Sequence, residues 1–216
     1  TVDLTGALPV NRIALQPGAV RRVNVLAAGQ EANFENIVGT AFDDDRTGNI
    51  ADNVILARAG SDTVAGDAGN DLIDLGPGLN ETATGGADDD RFVFVDGWGS
   101  AQLTGGGGID AVDLSAVTVP VLFEIGSLNV SDGTNSIAHV GNDLEQLIGG
   151  TADDTFRFTS DGSTLPSGGT IDGQAGSDWL DYVGYTTVAA SVDLSVGSAT
   201  GAPAGVVNIE NVLGGF

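Results

Sequence analysis

The sequence predicts an all-β fold of short parallel strands wound into a solenoid, with Gly/Asp turns and interspersed longer-stranded coils. Three observations predict it. A nine-residue unit repeats in register from residue 39. Glycine is abundant, 34 residues against 6 prolines. Helical periodicity is nowhere sustained, and glycine every few residues would cost a helix about 1 kcal/mol per position.

The repeat reads GTAFDDDRT (39–47), GNIADNVIL (48–56), ARAGSDTVA (57–65), GDAGNDLID (66–74) and LGPGLNETA (75–83). GGADDDRFV (85–93) follows after one inserted residue, Thr84. The sixth position is always an oxygen ligand: Asp44, Asn53, Asp62, Asp71, Asn80 and Asp90. Glycine holds the fourth position at Gly60, Gly69 and Gly78. The eighth is apolar at Ile55, Val64, Ile73 and Phe92, but Arg46 and Thr82 break the rule. A short strand around the eighth position buries its apolar side chain inward, and the glycine-rich half reverses the chain. Two reversals make a coil of about eighteen residues, and successive coils stack at ~4.8 Å. Asp44 then stacks on Asp62, Asn53 on Asp71, Asp62 on Asn80, and Asp71 on Asp90.

Four segments follow from the patterning. Residues 1–38 form a strand-rich lead-in, with a strand expected over 20–28. Residues 39–95 are the nonapeptide array. Residues 96–148 hold one further repeat, GGGGIDAVD (105–113), then longer strands around Pro120 and the turn Asp132-Gly133-Thr134-Asn135. Residues 149–216 carry GGTADDTFR (149–157) and GQAGSDWLD (173–181), then strand-like alternation and an unfinished phrase. The phrases around Glu35, Glu145 and Glu210 are versions of one another, and VDL recurs at Val2, Val112 and Val192. They predict a segment of a longer repetitive protein, or a unit that stacks end to end.

Charge narrows the function. Thirty acidic residues face seven basic ones, for a net charge of −23, and every basic residue is arginine. That balance argues against a nucleic-acid partner or an anionic membrane. No run reaches ~18 apolar residues, so no membrane-spanning helix is expected. There is no cysteine, hence no disulfide. Stacked carboxylates repel unless a cation sits between them. Turn carbonyls, such as those of Gly60, Gly66 and Gly69, complete an all-oxygen cage that suits several Ca²⁺ ions. Zinc is disfavoured, because His139 has no second His or Cys beside it. Asp62 and Asp71 form the expected centre of the array. Asp110, Asp154 and Asp178 stand in isolated repeats, so their partners must come from rungs distant in sequence. A metal-free glycine-rich solenoid and a merely solvated acidic surface stay open at this point.

These units resemble the GGxGxDxUx nonapeptide (U apolar) of the RTX calcium-binding family. Residues 105–113 match every defined position, and 66–74 and 173–181 miss one glycine each. The resemblance implies a right-handed parallel β-roll that takes up calcium outside the cell, in a large secreted or cell-surface bacterial protein. Affinity in extracellular modules is weak, ~10⁻⁴–10⁻³ M.

No catalytic motif is present: no GxSxG elbow, no HExxH, no Walker loop and no Cys nucleophile. The chain is therefore expected not to be an enzyme. Three readings remain. One is a calcium-stiffened structural module of an adhesin, surface layer or extracellular fibre, with self-association or continuation into neighbouring repeats. The second is a calcium-dependent secretion and folding domain of an RTX toxin or enzyme whose catalytic domain lies elsewhere. The third is a carbohydrate-binding tip using Trp98, Trp179, Tyr182 and Tyr185.

Overall fold

Each nonapeptide folds as a turn followed by a strand of three or more residues whose middle side chain points inward. The alternation is visible in burial: Val54–Leu56, Leu72–Asp74, Gln146–Ile148 and Thr170–Asp172 each bury only their central residue. The computed structural model describes residues 21–24, 36–139 and 143–215. The VDLTG phrase and most of the expected lead-in lie outside them.

The first strands are β1 (Arg21–Asn24), β2 (Asn36–Val38), β3 (Asp44–Thr47), β4 (Val54–Leu56) and β5 (Thr63–Ala68). The next are β6 (Leu72–Asp74), β7 (Asn80–Ala87), β8 (Arg91–Val95), β9 (Ser100–Gly107) and β10 (Ala111–Ala116). From β2 to β10 the chain alternates between two sheets. Neighbours within each sheet are parallel, as Asp45↔Thr63 and Val54↔Leu72 illustrate. The spacing grows along the array, from 18 residues between Asn53 and Asp71 to 20 between Asp90 and Asp110.

A meander then interrupts the alternation. Strands β11 (Leu122–Ile125), β12 (Asn129–Ser131) and β13 (Ser136–His139) pair antiparallel and enter one sheet together. Pro120 lies just before β11, where a missing N–H costs the ladder nothing. The expected turn at 132–135 joins β12 to β13. Alternation resumes with β14 (Gln146–Ile148), β15 (Thr155–Phe158), β16 (Thr170–Asp172) and β17 (Trp179–Asp181). A small hairpin, β18 (Val192–Asp193) with β19 (Ser198–Ala199), precedes β20 (Gly205–Val207) and β21 (Asn211–Leu213). The result is an 11-stranded sheet and an 8-stranded sheet. Among the described residues there is no helix. The fold is all-β and largely parallel, an arrangement compatible with a β-solenoid.

The core runs between the sheets as columns of stacked side chains. On the eight-stranded sheet the register aligns Ile37, Ile55, Ile73, Phe92, Val112, Leu147, Ile171 and Val206. Burying each such side chain contributes roughly 1.5–3 kcal/mol. Aromatic rings fill the later coils: Phe123 stacks on Phe156 at 4.4 Å, and Phe158 on Tyr182 at 4.5 Å. This continuous core fixes the height of every turn, and so the spacing of the acidic residues that enter the strands.

Candidate metal centre

The residue that enters each strand carries the acidic side chain, so strand stacking turns the acids into ladders. On the eight-stranded edge, the backbone N–H of Asn53 donates to Asp71 Oδ1 at 2.7 Å. Asp71 N–H donates to Asp90 Oδ1 at 2.9 Å, Asp90 to Asp110 at 2.8 Å, and Asp110 to Glu145 Oε2 at 2.8 Å. On the other edge, Asp44 N–H donates to Asp62 Oδ1 at 2.8 Å and Asp62 to Glu81 Oε2 at 2.9 Å. That ladder stops because the next rungs place Ala101 and Ile137 in register. It restarts after the meander, with Asp154 N–H donating to Asp178 Oδ1 at 2.7 Å and Asp178 to Glu210 Oε2 at 2.9 Å.

The distant partners expected for Asp110, Asp154 and Asp178 are therefore Asp90, Glu145, Glu210 and each other. One expected stack is not formed. Asp62 meets Glu81, not Asn80, which is exposed at the start of β7. The register shifts from 18 to 19 between Leu79 and Thr82, so the extra residue lies at Asn80 and not at Thr84 as the repeat alignment placed it, and Glu81 takes the stacked position. Glu145 and Glu210, which sequence reasoning treated only as parts of a phrase, each close a ladder. The signal lay in that phrase, since each Glu immediately precedes a strand.

Each ladder acid spends one oxygen on the neighbouring N–H. The second oxygen of Asp62, Asp71, Glu81, Asp90, Asp110 and Asp178 is buried without a hydrogen-bond partner. An orphaned buried carboxylate oxygen is costly. Desolvation by burial pushes the Asp71 carboxyl up to about 6, and those of Glu81, Asp90 and Asp110 up to about 7. Backbone hydrogen bonds oppose the shift, and neighbouring carboxylates add to it. Asp62 and Asp178 are raised for the same reason, and Asp154 rises to about 6.

A first-position glycine leaves a notch beside the orphans of Asp71, Asp90, Asp110 and Asp178. A Cβ on Gly66 would lie under 3.0 Å from both the free Asp71 oxygen and the Gly85 carbonyl. The same pairing of an acid or amide oxygen with the carbonyl stacked on it from the next rung occurs at Gly48 (Asn53, Gly66), Gly149 (Asp154, Gly173) and Gly173 (Asp178, Asn208). Gly105 faces Asp110 and the Asp143 carbonyl, and Gly85 faces Asp90. The Gly66 carbonyl thus lies in a notch. The Gly60 carbonyl instead accepts the Leu79 N–H at 2.9 Å. Gly69, with φ +101°, holds the turn in a conformation that disfavours side chains.

These notches fit a hard cation in one respect and limit it in another. Orphan carboxylate oxygens and carbonyls converge where only glycine leaves room. Among the described residues, however, no three His, Cys, Asp or Glu side chains form a group that could hold a metal. A cation here would draw most of its ligands from main-chain carbonyls and water, a set that suits Ca²⁺.

A second, exposed ladder uses the fifth position of the repeat, which sequence reasoning did not single out. Asp43 accepts the Ser61 N–H at 2.9 Å, Asp52 that of Asn70 at 2.8 Å, and Asn70 that of Asp89 at 3.0 Å. Its signal was the Asp or Asn ahead of the sixth position at Asp43, Asp52, Asn70 and Asp89. Of the aromatic groups considered for carbohydrate stacking, Trp98, Tyr182 and Tyr185 are core residues, and Trp179 is 40% exposed. His139 pairs with Asp143 at the end of β13.

No protein-family model matches the chain, and no curated protein matches it either.

Proposed function

We propose that the chain is a calcium-binding structural module, a right-handed β-roll of the RTX kind within a large secreted or cell-surface protein. The observation that carries this reading is the recurring pair of a buried, orphaned carboxylate oxygen and a glycine notch. Asp71, Asp90 and Asp110 with Gly66, Gly85 and Gly105 are its strongest sites, followed by Asp178 with Gly173; the Asp154 oxygen beside Gly149 already accepts the Gly150 N–H at 2.5 Å. Bound Ca²⁺ would neutralise oxygens that otherwise destabilise the turns. Its role is to stiffen the stacked coils, not to perform a reaction. The net charge of −23 supports it, because a cation-free array of this composition repels itself.

The test is a titration of metal-stripped protein with Ca²⁺, followed by calorimetry and thermal melting, with Mg²⁺ as the control. Several Ca²⁺ ions bind per chain with a Kd of ~10⁻⁴–10⁻³ M, and the melting temperature rises well beyond the Mg²⁺ value. A melting temperature indifferent to Ca²⁺ would sink the proposal.

A further inference from the structure

The coil beginning at Gly39 differs from the rest. Arg46 occupies the inward position that Val64, Ala83 and Leu103 hold in the following rungs. It is only 3% exposed. A buried guanidinium persists only with counter-charges and acceptors around it. Its Nη2 pairs with Asp44 Oδ2 and donates to the Ala57 carbonyl at 3.1 Å. Its Nη1 lies 3.6 Å from Asp62 Oδ2. A Cβ on Gly39 would collide with this guanidinium and with the Ala57 carbonyl.

Asp44 is the sixth residue of its unit, and Ala57 is the first residue of the next rung on the same edge. Those two oxygens correspond, position for position, to Asp71 Oδ2 and the Gly85 carbonyl in the Gly66 notch. The nitrogen of Arg46 therefore bridges the same two oxygens that converge, unbridged, at Gly66.

We infer that Arg46 is a resident cation: its guanidinium fills the first notch, pairs with Asp44, offsets part of the charge of Asp62, and keeps a metal ion out of that site. The next two first positions on this edge are Ala57 and Leu75, both fully buried. Their side chains take the space that glycine leaves open elsewhere. The first turn of the early 11-stranded edge is thus filled by the chain itself, while the second oxygens of Asp62 and Glu81 further along it stay without a hydrogen-bond partner. The part of the inference that concerns ion counting rests on the calcium reading. The part that concerns charge does not.

The experiment compares Arg46→Val, which restores the apolar residue of the next rung, with Arg46→Lys, which keeps the charge. Each is melted metal-stripped and at saturating Ca²⁺, and bound ions are counted by calorimetry. Metal-stripped Arg46→Val melts several degrees below the native chain, and Arg46→Lys retains most of that stability. At saturating Ca²⁺ the valine variant recovers most of its loss and binds one more ion per chain than the native protein. An equal loss with and without Ca²⁺, and no added ion, would overturn the inference. If neither the native chain nor any variant binds Ca²⁺, the calcium reading is the one that fails. The metal-stripped comparison then decides for Arg46: lysine better than valine upholds the resident cation, and lysine equal to valine removes it.

Discussion

The two edges of the early coils face the same problem and meet it differently. On the eight-stranded edge, Gly48, Gly66, Gly85 and Gly105 leave notches beside Asn53, Asp71, Asp90 and Asp110. On the opposite edge the corresponding first positions are Gly39, Ala57 and Leu75. The first notch there holds the Arg46 guanidinium, and the other two positions carry side chains. The ladder hydrogen bonds are alike on both edges, at 2.7–2.9 Å. The hydrogen-bonded turn is therefore separable from cation binding. The first-position glycine, not the sixth-position acid alone, distinguishes a notch that can admit an ion from one that cannot.

The largest expected effect that tests this contrast comes from closing a notch. Gly66→Ala places a methyl against Asp71 and the Gly85 carbonyl, and costs about 1–3 kcal/mol in Ca²⁺ together with one bound ion. Ala57→Gly on the other edge costs under about 1 kcal/mol and removes no bound ion. Denaturant unfolding with parallel calorimetry measures both. Equal losses, or an unchanged count in Gly66→Ala, would break the distinction between the edges.

A second effect is in pH, and its sign differs with metal. Asp71 is raised to about 6, and Asp90 and Asp110 to about 7. Unfolded carboxyls titrate near ~4. The folded, metal-stripped chain therefore binds more protons between these values, and its stability falls as pH rises through 6 to 7. Melting at pH 5 should exceed melting at pH 8 by about 5 °C or more. At saturating Ca²⁺ the order reverses, because protons compete for the same oxygens. Parallel pH profiles with and without metal would refute this.

The smallest effect concerns the second position of the turn. Arg58 has φ +76°, in a region that costs a side-chain-bearing residue roughly 1–2 kcal/mol. Gly86 and Gly106 occupy the equivalent place with φ +135° and +121°. Arg58→Gly should stabilise the chain by about 0.5–1 kcal/mol, equally with and without Ca²⁺, because no notch is involved. A calcium-dependent gain would tie this turn to the metal edge after all.

The sequence by itself determined the strands and their inward faces. A nine-residue period with an apolar eighth position leaves one way to bury Ile55, Ile73 and Phe92 together. It also placed Asp71 over Asn53 and under Asp90, because eighteen residues return the chain to the same edge. Tertiary structure decided the rest. The partners of Asp110 and Asp178 lie 35 and 32 residues away at Glu145 and Glu210. No local period reaches them, since the meander and the β18–β19 hairpin intervene. Glu81 replaced Asn80 because an insertion shifts the rung by one residue, which a fixed period cannot register. Arg46 looked like a defect in the apolar column. Only stacking brings Asp44, Asp62 and the Ala57 carbonyl around it, and a charge buried at that point is stable because those oxygens are already there.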